Sequence, residues 1–318
     1  MIEKKLWEKL GFNVSRVGFG AWGIGGEKVG NTTPIDGEAA ILSYLNNGGN
    51  LIDTAPTYGN SEKCIRNALK HYTGSDPVYL CTKTKNGETK DSIPYIRTSC
   101  EKSLSNLDVD CIDIFYLHMP PEEDDVVDEA LSELEALKKE GKIRSIGVSI
   151  KGAAVTSDTS HLCKKYIDSG RIDVIELVYS VLRQSNIEAM KYARSKGVEI
   201  VARTVLESGF LTEKYGKGYR FDTTDHRSRW NRQVDTIAEY VKTLREKYTT
   251  ETFNSVAAIS LAFSLKEESV SCIVLGAKNR DQVEKNFELI QKGIMPNELY
   301  ERLRRDFGPI NDECNPIQ

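Results

Sequence analysis

Four ionisable residues of four different types stand just after apolar β-rich runs. Asp53 and Tyr58 lie in the segment NLIDTAPTYGNSE, Lys83 in LCTKTK and His118 in FYLHMP. Such a set suits proton transfer to a carbonyl oxygen. A free tyrosine titrates near 10 and is a poor acid at neutrality, and a neighbouring ammonium such as Lys83 favours its phenolate and lowers that value. A buried lysine in turn tends to lose its own proton unless a carboxylate such as Asp53 keeps it charged. His118 is then free to orient the oxygen that receives the proton.

Positioning these side chains requires a scaffold whose strand ends converge. Eight short β-rich runs recur: Arg16 to Phe19, Asn50 to Asp53, Val78 to Thr82, Ile112 to Leu117, Arg144 to Val148, Val174 to Val178, Glu199 to Ala202 and Cys272 to Leu275. A segment with helical spacing follows each, as in EALSELEALKK, which stops at Gly141. Eight such units without a Pro/Gly/Ser linker predict an α/β protein, a closed (β/α)8 TIM barrel occupying residues 1–318 as one domain. A Rossmann-like sheet is the runner-up, but GFGAWGIGG lacks the helix-opening residues its glycine fingerprint demands. Residues up to about Val14 read as a β-hairpin capping the barrel floor. The stretch Tyr215 to Arg232, after the seventh strand, is too long for routine filler and reads as a lid or binding loop.

With 43 basic and 47 acidic residues the formal charge is −4, which provides no steering field for nucleic acid or an anionic membrane. No apolar stretch matches a signal peptide or a bilayer span, so the expectation is a cytoplasmic protein acting on a small molecule. The seven cysteines are scattered singly, which suggests neither disulfides nor a zinc site; no metal is expected, and most cysteines, Cys314 among them, read as apolar filler.

DTAPTYGNSE, CTKT, YLHMP, EGKIRSIGVS, LESGFLTEKY and LGAKNRDQVEKNFE, taken in order from about Val14 to Leu289, resemble the aldo-keto reductase family. The resemblance implies a barrel that binds a nicotinamide cofactor without a Rossmann domain, with Asp53, Tyr58, Lys83 and His118 matching the catalytic tetrad. It implies cofactor contacts at Gly20, at Ser149 beside the carboxamide, at Leu206, Ser208, Gly209 and Leu211 over the pyrophosphate, and at Gly276, Ala277, Lys278, Gln282 and Asn286 around the adenosine. Lys278 at the start of the last helix favours NADP(H), with NAD(H) as the alternative. Two positions depart from the common pattern. Glu176 replaces the usual Gln, and Arg203 stands where many members place an aromatic residue, as in some bacterial-type members. An acid at 176 can accept from the amide NH2 but cannot donate to its oxygen, and a pairing of Glu176 with Arg203 is the competing arrangement.

Taken singly, Asp53 and Lys83 also fit a structural ion pair, and Tyr179 fits core or pocket floor equally. The resemblance makes Trp22 a wall of the substrate pocket, beside Tyr58 and His118. His71, His161 and His226 carry no such company and read as surface or loop residues. The expected function is NADPH-dependent reduction of an aldehyde or ketone, with Arg220, Arg227, Arg229 and Trp230 suiting a polar, sugar-like substrate. A cofactor-binding regulatory module with little turnover is the alternative. A phosphate-handling barrel without nicotinamide is a third, and it leaves Tyr58 and Lys83 without a task. Oligomeric state is not legible.

Overall fold

The computed structural model describes residues 2–26, 32–84, 93–150 and 157–308; Cys314 lies outside them. The chain opens with an antiparallel hairpin of β1 (Lys4–Trp7) and β2 (Phe12–Ser15). Eight parallel strands follow: β3 (Val17–Gly20), β4 (Leu51–Asp53), β5 (Tyr79–Lys83), β6 (Ile112–His118), β7 (Ile143–Ser149), β8 (Val174–Val178), β9 (Glu199–Arg203) and β10 (Cys272–Gly276). They pair in sequence order and close when β10 pairs with β3, from Ile273 opposite Val17 to Gly276 opposite Gly20. The (β/α)8 barrel, its hairpin and all eight expected strands are therefore present.

Side chains alternate in and out along each strand. The inward set Leu51, Tyr79, Cys81, Ile114, Tyr116, Val174, Val201, Cys272 and Val274 forms one buried cluster, and Trp7, Phe12 and Val14 of the hairpin join it from below. Phe12 stacks on Tyr79 with ring centroids 4.6 Å apart. Each such buried apolar side chain contributes roughly 1.5–3 kcal/mol, and together they let the hairpin stopper the barrel floor.

Around the barrel pack α1 (Pro34–Asn46), α2 (Ser61–His71), α3 (Pro94–Leu107), α4 (Asp124–Lys139), α5 (Ser157–Asp168) and α6 (Ile187–Ser195). After β9 the pattern is interrupted. Short 3-10 turns at Glu207–Thr212 and His226–Trp230 and an added helix α7 (Val234–Tyr248) precede α8 (Val256–Lys266). Helix α8 is apolar on every side because α7, α9 (Arg280–Ile290) and the 207–212 turn surround it. Chain-capping residues start these helices: Thr33, Ser255 and Asn279 each accept from a backbone N–H inside the first turn. A last helix, α10 (Asn297–Phe307), brings Tyr300 within 5.0 Å of Phe263, which stacks on Tyr179, so Tyr179 belongs to the core.

Candidate active site

Two residues beyond the last inward cluster member of six strands, the same parity reaches the C-terminal mouth. Leu51 leads to Asp53, Cys81 to Lys83, Tyr116 to His118, Val174 to Glu176, Val201 to Arg203 and Val274 to Gly276. Register aligns Gly276 with Gly20, Gly20 with Asp53, and His118 with Ser149, which itself lies opposite Glu176. In a barrel this is the end where chemistry is done.

Lys83 is wholly buried, and its ammonium meets three oxygens. It pairs with Asp53 Oδ1, donates to the Thr54 carbonyl at 3.1 Å and faces Glu176 Oε2 at 3.1 Å. Glu176 Oε1 accepts from Ser149 Oγ at 2.9 Å and pairs with Arg203 Nε at 3.1 Å. Arg203 also donates to the Ile150 carbonyl at 2.8 Å. Of the two arrangements open to Glu176, the ion pair with Arg203 is the one formed, and its second oxygen lies 3.1 Å from the Lys83 ammonium without a hydrogen bond of its own.

Burial alone would strip the Lys83 proton, but Asp53 and Glu176 outweigh it and hold the ammonium above its usual range. Burial, reinforced by repulsion from Glu176, pushes Asp53 up to about 8. Glu176 is likewise penalised by burial, yet two cations, Lys83 and Arg203, bring it down to about 2. The asymmetry follows from the contacts, since Glu176 has two cations and a hydroxyl donor where Asp53 shares one ammonium.

The Tyr58 ring lies 5.7 Å from Lys83 Nζ. Lys83 lowers the phenol's pKa, as expected from the sequence, but the net shift is upward, to about 12, because burial dominates and Asp53 and Glu176 oppose the ammonium. The phenol is thereby kept neutral, the form that can donate. Its turn is tied on both sides. Tyr58 N donates to Ala55 O at 3.0 Å, Ser61 N returns to Tyr58 O at 3.2 Å, and the Thr54 and Ser61 hydroxyls meet at 2.6 Å. Asn60 N donates to Gly25 O at 3.2 Å, and a Cβ at Gly25 would come within 2.0 Å of the Tyr58 carbonyl, so only glycine permits this approach. His118 ends β6, half-buried, with its backbone N–H bonded to Thr84 Oγ1 at 3.0 Å.

The other expected residues line the same rim. Trp22 lies on a 3-10 turn after β3 and meets the His226 ring edge-on at 4.2 Å; His226 also meets Trp230, at 5.7 Å. The long excursion after β9 therefore folds back over the turn that follows β3, and His226, expected to be a bland loop residue, is packed between two indoles. His71 and His161 are exposed. Leu206 and Leu211 are tied by Leu211 N to Leu206 O at 3.3 Å, and between them Ser208 and Gly209 adopt left-handed backbone with φ of 53° and 94°. Thr204 and Glu207 share that conformation, at 63° and 48°. Such strain persists only where neighbours enforce it, and here the enforcer is a buried pair that sequence reasoning missed: Arg183 binds Glu207 through Nε at 3.0 Å and Nη2 at 2.7 Å. Nothing in the order of residue types marks that partnership, because the two lie on different strand-end loops.

Beyond β10, Gln282 Oε1 accepts from Lys278 N at 3.0 Å, Asn279 caps α9 by accepting from Gln282 N at 3.0 Å, and Asn286 and Ala277 border a crevice with Phe19. Half-buried Lys278 has its pKa lowered, first by burial and then by Arg227 and Lys214. Asp225 offsets part of this crowding, and an anion near Lys278 would relieve the remainder. Gly23 lies opposite Lys278, 3.5 Å from its Cγ were a Cβ present, while Gly276 opens to solvent. The donor set and the glycine-lined opening fit a phosphate-bearing dinucleotide.

A sequence model described as the aldo/keto reductase family matches residues 16–304. The NADH-specific methylglyoxal reductase of Escherichia coli (strain K12) is 30% identical over 305 residues, spanning 86% of this chain and 89% of that protein. The L-galactose dehydrogenase of Arabidopsis thaliana is 28% identical, spanning 90% of this chain and 87% of that one. Among solved structures, a glycerol dehydrogenase from Gluconobacter oxydans is similar with a TM-score of 0.77 and 25% identity, covering 99% of this chain and 98% of its own.

Proposed function

The chain belongs to the aldo/keto reductase family of oxidoreductases, and from that membership we propose that it reduces an aldehyde or ketone to an alcohol with NADPH, Tyr58 serving as general acid. The observation that carries this reading is the neutral phenol of Tyr58 beside an ammonium, Lys83, that two buried acidic side chains, Asp53 and Glu176, keep charged. A bound nicotinamide supplies the hydride. Tyr58 gives its proton to the carbonyl oxygen, and Lys83 steadies the phenolate left behind. His118 orients that oxygen, and Trp22 forms a wall of the substrate pocket.

Gly20, Gly276, Ala277, Lys278, Gln282 and Asn286 would hold the adenosine end, and Leu206, Ser208, Gly209 and Leu211 the pyrophosphate. Ser149 gives its proton to Glu176 and so keeps an acceptor for the carboxamide NH2. Glu176 then meets the cofactor through Ser149 and Arg203 rather than directly. We place the reaction in the cytoplasm; among the described residues no helix is long and apolar enough to cross a membrane, and six cysteines are free thiols.

The activities of the relatives point to small, oxygen-rich compounds; Arg220 and Arg227 are taken up by Asp235 and Asp225, and Arg229, over the Trp230 ring, suits a sugar-like carbonyl. Loss of NADPH absorbance over a panel of 2-oxoaldehydes, aldoses and simple ketones tests the proposal. Substrate-dependent loss supports it, and cofactor binding without turnover on any carbonyl would favour a regulatory module. The NADH-specific relative makes NADH the necessary parallel arm.

A further inference from the structure

Four charged side chains from four strands form one connected group at the mouth: Asp53 on β4, Lys83 on β5, Glu176 on β8 and Arg203 on β9. Glu176 is its centre. Its two oxygens split between the two cations, each at 3.1 Å, and its side chain is 1% exposed. Arg203 is the only member with appreciable solvent contact, at 28%. Tyr58, on the turn after β4, and Cys81 and Tyr116, on β5 and β6, face the group and add no further charge at neutral pH, because burial raises each of them.

We infer that Glu176 is a positioning residue that bridges the Lys83 ammonium to the Arg203 guanidinium, so that the proton-handling pair and the cofactor-facing rim form one electrostatic unit. With Glu176 taking most of the cationic field, Asp53 becomes the carboxyl that accepts a proton most readily, in line with the opposite shifts of the two acids. One proton on Asp53 gives the four groups a net charge of +1, the compensation a Tyr58 phenolate needs. Only the last statement rests on the reductase reading; the bridge itself does not.

Infrared difference spectra of the cofactor-free protein test the bridge without turnover. The wild type is expected to show a buried carboxylic-acid C=O band that titrates around pH 8 and is absent from Asp53→Asn. In Glu176→Gln the repulsion on Asp53 is gone, so the band should have vanished by neutral pH. In Arg203→Met the cationic field is weaker, and acid character should persist to higher pH. A merely structural role predicts no such opposed movement, and Arg203→Met decides alone should Glu176→Gln not fold. Fluorescence titration supplies the second readout: both variants should bind NADPH about tenfold more weakly at every pH, and the double variant no more weakly than the worse single one. A wild type without the band, an unmoved titration in both variants, or tighter cofactor binding by Glu176→Gln at high pH would overturn the bridge. Failure of the reductase reading appears separately, as absence of NADPH oxidation with the infrared shifts intact.

Discussion

Lys83 Nζ lies 5.7 Å from the centre of the Tyr58 ring and 5.2 Å from that of Tyr116, with no solvent access of its own. Among the described residues Lys83 is the cation that most favours the phenol's anion, with Arg203 adding a smaller share. Tyr58→Phe keeps the ring and removes the acid. Carbonyl reduction should fall by at least about a hundredfold, with cofactor affinity near that of wild type. Lys83→Met should lower the rate similarly. Steady-state rates with paired cofactor titrations check both, and near-normal turnover of Tyr58→Phe would sink the mechanism.

Lys278, crowded by Arg227 and Lys214, is the expected partner of a 2'-phosphate. A charge-assisted contact of this kind is worth roughly 1.5–3 kcal/mol, so Lys278→Ala should weaken NADPH about tenfold or more and leave NADH nearly unchanged. Equal weakening of both cofactors would assign the lysine to something other than that phosphate.

His226 has its pKa pulled down from 6.5 to about 4, first by burial and then by Arg227, Arg229 and Lys278 against the opposing pull of Asp225. The folded loop holds a neutral ring while the unfolded chain charges it, so stability is present above about 6.5 and is lost as pH falls through about 4. Tryptophan emission should change over that window as the ring leaves Trp22 and Trp230. His226→Gln should flatten the response; an identical acid transition in that variant would mean another group controls the loop.

Arg183 and Glu207 are almost solvent-free, at 2% and 0% exposure. Removing one partner of a buried pair strands the other charge. Glu207→Ala should therefore cost about 3–5 kcal/mol by urea denaturation, and Arg183→Met with Glu207→Met should recover most of it. A Glu207→Ala midpoint equal to that of wild type would show that the strained turn is held by other means.

The fold was legible because barrel strands advertise themselves locally: each run is apolar, short and bounded, and the residues just after it carry the chemistry. Asp53, Tyr58, Lys83 and His118 stand out by that rule alone. Glu176 was visible as an oddity, but whether it faced an amide or Arg203 depends on side-chain reach across strands, which spacing does not encode. The Arg183–Glu207 pair and the Gly25 approach to Tyr58 join segments far apart in the chain, and single residues give no sign of them. Helix α7 was obscured because its neighbouring loop dominates the composition of that region.

Closure of the barrel by β10 against β3 has a consequence for biogenesis. A ribosome extends the chain at about 5–20 residues per second, and β3 must wait for Cys272–Gly276 before its free edge is paired. The residues expected to grip the adenosine, Lys278 to Asn286, emerge later still. A nascent or truncated chain would therefore present two unpaired edges, at β3 and β9. Quality control falls on the final unit, so premature termination before β10 should yield a product that aggregates or is degraded rather than a partly active enzyme.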